Sequence, residues 1–462
     1  MNKELNIFVT TYNLGLQGSK ATIKDLTEWL VPNLTDFSAK SPPDLVVIGA
    51  QEITDLASAY AGLSAPLLSV LGLKVSSILS EHASSLLPEG SVPANEHYTL
   101  LSSSAHVNVG LWIFALDRTV SGAYASTDGQ KAKIVGEVST SSVALGFLGG
   151  LVGNKAAVGG RVWLRRRVEK NEVGLPLESL TFVCAHFAPH ANAKAVASRI
   201  GNYERLTTHL RFPSLPSNVS SGVYTRSPGK KFPRSSFNTT NHVFLFGDLN
   251  YRLSSTSQGK DFPPDNVFRQ MMADLDRAGR SWGGLAVYDQ LGDVQRTGKS
   301  LVGFNEVPLG EFGPTYKRVI GNPAAYSPKR LPAFTDRILF ASRGRDERAI
   351  RPERYSSVVT LGLSDHVPVV LTLAIPCPDV EDGKESDDGE DGARSLVIPV
   401  QTSGKLAWEI RIVAEAKLGA ALDLSFGYGW LGLIGLGCGQ GEVVGGAVGL
   451  ALVLLMWYLA SN

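Results

Sequence analysis

An apolar run, Val243-Phe244-Leu245-Phe246, stops at Gly247 and delivers Asp248, Asn250 and Arg252 immediately beyond it. Four such residues suit a buried strand and glycine permits a tight exit. Asp248 and Asn250, two apart, share a face if the extended backbone continues. One carboxylate and one amide then point at one spot. The same letters also suit a strand closing in an ordinary Asx turn, so other segments must decide between a site and a turn.

Five further segments repeat the pattern. The apolar run 180–184 leads into Ala185-His186-Phe187, 44–48 leads to Gln51-Glu52, and 7–10 leads to Tyr12-Asn13. Asp336-Arg337 follows Pro332-Ala333-Phe334-Thr335, and Ser364-Asp365-His366 stands directly before the strand-like stretch 367–373. Ionisable groups gathered at sheet rims mark sites more often than cores. The helical stretches 23–30 and 193–210 alternate with these strands, which indicates an α/β domain.

Read in order, TYNLG, QE, GNKAAVG, AHF, GDLNYRL, PAFTDRIL and SDHVPV resemble the motifs of the inositol polyphosphate 5-phosphatases, within the endonuclease/exonuclease/phosphatase superfamily, over residues 5–375. The resemblance implies a four-layer α-β-β-α sandwich of two packed mixed β-sheets flanked by helices. It also implies Mg²⁺ held by Glu52 with help from Asn13, and an Asp336 carboxylate orienting His366.

The residues permit that chemistry. A phosphate monoester repels nucleophiles through its own oxygens, so an enzyme must supply positive charge and a positioned water. Glu52 offers a hard oxygen suited to Mg²⁺. Asp248 can orient and deprotonate water, and Asn250 can fix water or phosphate. His366 and His186 are the imidazoles expected at the phosphoryl oxygens, with Asp365 near the metal. Lys155 and Arg252 are the first candidate substrate cations. The resemblance adds Tyr316, Lys317, Lys329 and Arg330 as contacts to a neighbouring 4-phosphate. Ala156, Phe334-Thr335 and Arg318 depart from the family pattern without removing a catalytic group.

Other phosphatase chemistries lack their letters. Position 190, where a Cys-x₅-Arg loop from Cys184 would need arginine, is His. Asp274-Leu275-Asp276 falls in a helical stretch, no Gly-x-Ser-x-Gly elbow exists, and Gly298-Lys299-Ser300 has Asp293 where a P-loop needs glycine.

The three cysteines among 462 residues form neither a disulfide framework nor a zinc pattern, which points to a reducing compartment. The net charge of +1 conceals an uneven division. Residues 1–377 carry 39 basic and 31 acidic groups, the remainder 5 and 12. A basic catalytic part suits an anionic substrate or surface. Four prolines and many serines make 211–237 a surface insertion without regular elements.

The expected organisation is a catalytic domain over 1–376, a disordered acidic linker over 377–395, a juxtamembrane segment over 396–424 and an apolar tail anchor over 425–462. Residues 405–424 could form an amphipathic helix lying on the membrane or packing on the domain. Residues 443–460 carry no charge over 18 positions, about 27 Å as a helix, close to the roughly 30 Å of a bilayer core. A C-terminal transmembrane helix is therefore expected, with the domain on the cytosolic face. Resemblance to fungal tail-anchored family members adds the endoplasmic reticulum.

The expected function is Mg²⁺-dependent removal of the 5-phosphate from a phosphoinositide, foremost phosphatidylinositol 4,5-bisphosphate, with no nucleic acid and no obligate protein partner. Two alternatives remain: a nuclease or sphingomyelinase using the same acid and imidazole set, and an inactive membrane-tethered scaffold that binds phosphoinositides.

Overall fold

A computed structural model of the protein describes residues 4–34, 41–91, 95–117, 120, 135–164, 178–213, 234–237, 240–257, 261–277, 279, 281–342, 350–376 and 405–435. The strands in chain order are β1 (Leu5–Asn13), β2 (Leu45–Gln51), β3 (Tyr98–His106), β4 (Val109–Leu116), β5 (Val135–Ala144), β6 (Ala156–Leu164), β7 (Glu178–His186), β8 (Arg211–Pro213), β9 (Arg234–Ser236), β10 (His242–Asp248), β11 (Arg318–Val319), β12 (Asn322–Tyr326), β13 (Asp336–Ser342), β14 (Arg351–Ser357) and β15 (Val369–Ile375). The helices are α1 (Ile23–Leu34), α2 (Leu56–Tyr60), α3 (Ser64–Ser85), α4 (Phe147–Gly150), α5 (Ala193–His209), α6 (Asp265–Arg277), α7 (Gln290–Arg296) and α8 (Lys405–Gly435).

Two sheets form the centre, ordered β14-β15-β1-β2-β4-β3 and β13-β10-β7-β6-β5. The period-two alternation of their strands divides the apolar residues between layers. Ile7, Val9, Val47 and Ile113 face Val158, Phe182, Phe244 and Ile338 between the sheets. Phe8, Ile48 and Phe114 point the other way, onto Leu26 and Trp29 of α1 and Leu71 and Val75 of α3. Val183, Leu245 and Leu339 cover the opposite outer face with Tyr203 and Leu206 of α5 and Leu291 of α7. The result is a helix-sheet-sheet-helix stack, as expected.

Local chemistry fixes the outer layer. Thr22 and Asp25 cap the start of α1 reciprocally, with the Asp25 N–H donating to Thr22 Oγ1 at 3.1 Å and the Thr22 N–H to Asp25 Oδ2 at 2.8 Å. Trp29 then ties the helix to the sheet by donating to Thr10 Oγ1 at 2.8 Å.

Strand direction creates one functional rim. β1 runs parallel to β2 and β7 parallel to β10, so Asn13 and Gln51 end together, as do His186 and Asp248. β13 runs antiparallel to β10, which sets its first residue, Asp336, opposite Asp248. β15 runs antiparallel to β1, which brings the preceding His366 to the same end.

Two expectations are corrected. The ends of the 211–237 insertion do form a regular element, since β8 and β9 pair and Arg161 donates to the carbonyls of Ser236 and Phe237 at 2.9 and 3.0 Å. The rest of that insertion, 214–233, lies outside the described residues.

The C-terminal transmembrane helix is not found: among the described residues no helix is long and apolar enough to cross a membrane. The helix that does form, α8, crosses the expected boundary at 424 and carries Arg411, Glu415, Lys417 and Asp423 along its length. It lays one stripe on the catalytic domain, where Arg205 and His209 meet Glu415 at 3.4 and 3.2 Å. Residues 443–460, on which the membrane expectation rested, and the acidic linker 377–395 lie outside the described residues.

Candidate active site

β10 ends at Asp248 because the backbone turns there. Gly247 has φ +131°, and a Cβ on it would lie 2.0 Å from the Ala185 carbonyl oxygen, so only glycine lets β10 pass β7 at this point. Asn250 has φ +58°, and its N–H returns to Asp248 Oδ1 at 3.1 Å. The strand therefore does not continue with both side chains on one face. The Asx turn forms, and it belongs to the site.

Asp248 is the centre of that site. Asn13 Nδ2 donates to its Oδ2 at 2.9 Å, His186 Nε2 lies 3.3 Å from the same oxygen and His366 Nε2 lies 3.9 Å away. Burial alone would raise the Asp248 carboxyl. The imidazoles of His186 and His366 and the Arg252 guanidinium outweigh it and hold the group far below the usual carboxylate range.

The two imidazoles shift in opposite directions because their partners differ. Burial would lower His366, but Asp336 Oδ2 sits 2.9 Å from its Nδ1 and raises it to about 9. Asp336 Oδ2 also accepts from Thr315 Oγ1 at 2.6 Å and Thr335 Oγ1 at 2.9 Å. His366 is thus held as an imidazolium with Nε2 turned toward Asp248. His186 is lowered, first by burial and then by Lys155, whose Nζ lies 2.5 Å from His186 Nε2. That ring stands between Lys155 Nζ and Asp248 Oδ2.

Glu52 completes the cleft. Its φ of +49° is a left-handed conformation rare outside glycine, held by the Leu16 N–H donating to its carbonyl at 2.8 Å. Its carboxylate lies 3.8 Å from His186 Nε2 and 3.9 Å from Lys155 Nζ, with a third of the side chain exposed. Asp248, Asp336 and His366 also offer ligand atoms within 4.8 Å of one another. An imidazolium donates from both nitrogens and cannot ligate, so the hard oxygens this cleft offers are those of Glu52, Asp248 and Asp336, whose buried Oδ1 accepts no hydrogen bond among the described residues. Few oxygen donors in an open, partly wet cleft fit a hard divalent cation that keeps several of its waters.

The remaining candidates sort into two places. Arg252, Tyr316, Lys329 and Arg330, with His190, line a cavity of about 350 Å³ beside the cleft. Tyr316 joins the two spaces: its ring centroid lies 4.7 Å from that of His366 and 4.2 Å from the Arg252 guanidinium. Asn250 accepts from Arg252 and donates to the Phe187 carbonyl at 3.1 Å, so its amide braces neighbouring residues. Lys155 lies in the catalytic cleft instead of this cavity. Lys317 and Asp365 pair with each other at 2.5 Å.

Thr315 is the functional residue that sequence reasoning passed over. Only its place directly before Tyr316-Lys317 hinted at it. Thr335, noted as a departure from the family pattern, supplies the second hydroxyl to Asp336.

The fold and site together define a class: a two-sheet α/β stack with an acid, amide and imidazole cluster on one rim. Residues 10–372 match Endonuclease/Exonuclease/phosphatase family 2, and the chain belongs to that family. It is 29% identical over 373 residues to inositol-1,4,5-trisphosphate 5-phosphatase 1 of Schizosaccharomyces pombe, covering 80% of this chain and 27% of that one. It is 28% identical over 374 residues to phosphatidylinositol polyphosphate 5-phosphatase type IV of Homo sapiens, covering 80% and 45%. The chain thus spans less than half the length of these curated relatives. The crystal structure of the inositol polyphosphate 5-phosphatase domain of SPsynaptojanin, in complex with inositol (1,4)-bisphosphate and calcium ion, is similar at a TM-score of 0.55 and 26% identity, covering 81% of this chain and 85% of that one.

Proposed function

We propose that the protein is a Mg²⁺-dependent phosphatase that removes the 5-phosphate of an inositol lipid, converting phosphatidylinositol 4,5-bisphosphate to phosphatidylinositol 4-phosphate. The observation that carries this reading is the junction of an ionised Asp248 with a cavity bearing Arg252, Lys329 and Arg330. One phosphate can react in the cleft while a neighbouring phosphate is held next door. The names of the relatives support the 5-position, and the inositol (1,4)-bisphosphate in the SPsynaptojanin complex has the ring pattern such cleavage would leave.

The residues divide the labour. Lys155 and the His366 imidazolium draw in the phosphoryl oxygens, and Asp336 holds the His366 ring in register. Asp248 orients the attacking water and accepts its proton. A carboxylate so far below neutrality is a weak base, so orientation is its larger contribution. Glu52, with Asn13 beside it, would hold the magnesium ion, which neutralises charge on the transferred phosphoryl group when bound. Cations placed for a second phosphate favour this reading over phosphodiester cleavage. A lipid substrate implies work at the cytosolic face of a membrane, the endoplasmic reticulum in our reading, and imaging of a fluorescent full-chain fusion tests the organelle.

Phosphate release should be measured on vesicles containing phosphatidylinositol 4,5-bisphosphate and on soluble inositol 1,4,5-trisphosphate, each with and without Mg²⁺. Release from both, faster on vesicles and abolished by chelation, is expected. Absence of release from every 5-phosphorylated inositol compound in Mg²⁺ would overturn the function.

A further inference from the structure

Helix α8 lies beyond the family match, which ends at 372, yet it reaches the active-site loop. Its docked stripe runs through Glu415, Gly419, Leu422, Asp423, Phe426 and Gly427. Two glycines set the approach. A Cβ on Gly419 would lie 2.5 Å from the Leu151 carbonyl oxygen, and one on Gly427 would lie 2.1 Å from the Ala61 nitrogen. Between them sits Asp423, a carboxylate only 5% exposed, whose Oδ1 accepts the Gly153 N–H at 3.0 Å.

Gly153 opens Gly153-Asn154-Lys155, and the loop behaves as one closed unit. Asn154 Oδ1 accepts the Phe147 N–H at 3.1 Å, and the Lys155 carbonyl accepts the Leu145 N–H at 2.7 Å. A hydrogen bond at Gly153 therefore acts two residues from the lysine that meets His186 and Glu52.

We infer that Asp423 is a positioning residue: through the Gly153 N–H, α8 fixes the 145–155 loop so that Lys155 stands at the phosphoryl site. A buried charged acceptor is a costly device for helix docking alone, since apolar side chains would dock it equally well. Its orientation toward a single backbone donor matches a need for placement.

The test uses the full chain with Asp423→Leu, which removes the acceptor, and Asp423→Asn, which keeps it. The kinetic arm rests on the phosphatase reading and uses inositol 1,4,5-trisphosphate. KM is expected to rise about tenfold in Asp423→Leu and to stay within about twofold in Asp423→Asn. A lost folded fraction would lower kcat at constant KM, so the split separates placement from stability. Amide exchange in 145–155 is the second arm and needs no turnover: about tenfold or greater acceleration is expected in the leucine variant and none in the asparagine variant.

If the wild type releases no phosphate, the function fails and exchange alone decides this inference. Should Asp423→Leu not fold, Gly419→Val, which pushes α8 from Leu151, carries the same two measurements. Unchanged KM and exchange in a folded leucine or valine variant would overturn the inference, as would an asparagine variant that behaves like leucine.

Discussion

Asp336 decides the charge of His366, and the sign of its effect can be read from pH. The His366 value of about 9 lies above the ordinary 6.5, so the stability of the charged ring is fully present below about 6.5 and is lost as pH rises through about 9. Activity that needs the imidazolium should fall on the same alkaline limb. Asp336→Asn removes the largest of the charges that raise the ring, leaving Asp248 and Asp365 against burial, which lowers it. The limb should move to lower pH by about one unit or more, seen in kcat/KM profiles and in NMR titration of the ring. An unmoved limb would assign the charge of His366 to another source. Gly247→Ala tests geometry at the neighbouring residue. A methyl group 2.0 Å from the Ala185 oxygen must displace a strand, so urea unfolding should register a loss of about 2 kcal/mol or more. Wild-type stability in that variant would mean that β10 and β7 have room to spare.

At the scale of elements, β13 is anchored by Arg337, the residue after Asp336. Its guanidinium, only 2% exposed, meets Asp289 Oδ1 at 2.9 Å and Glu306 Oε2 at 2.5 Å, and Tyr355 Oη donates to Glu306 Oε1 at 2.8 Å. Arg337→Met strands the buried Asp289 carboxylate and strips the half-buried Glu306 of its cation, and denaturant unfolding should show a loss of about 3 kcal/mol or more. A loss below about 1 kcal/mol would mean that water already reaches those acids. The same element marks what was legible in the sequence. Asp336, Asp248, His186 and His366 could be picked out because each follows or precedes its own apolar run, a local signal. The partners of Arg337 are 48 and 31 residues away, and no local pattern names them. Thr315 and Thr335 likewise became readable only once β13 had brought Asp336 between them. The Asn250 turn stays open in the sequence because period-two reasoning holds only where the strand continues, and a positive φ ends it. The docked side of α8 was open between membrane and domain because an amphipathic stripe records that a face is covered, not what covers it.

For the whole molecule, charge operates at two ranges. The cations in the cleft and cavity act within a few ångströms in a partly buried space, where salt screens weakly. The 39 basic against 31 acidic groups of residues 1–377 act over the surface, where screening is strong. These ranges separate by substrate. Raising NaCl from about 50 mM to about 500 mM shortens the screening length from above 10 Å to about 4 Å, which should weaken attraction to an anionic vesicle while leaving contacts inside the cleft largely intact. KM on vesicles containing phosphatidylinositol 4,5-bisphosphate should therefore rise severalfold, with kcat nearly constant, while KM for soluble inositol 1,4,5-trisphosphate moves less. Equal movement of the two KM values would assign the attraction to the site alone. A vesicle KM indifferent to salt would mean that the basic surplus faces away from the lipid, and that the domain meets membranes by apolar contact.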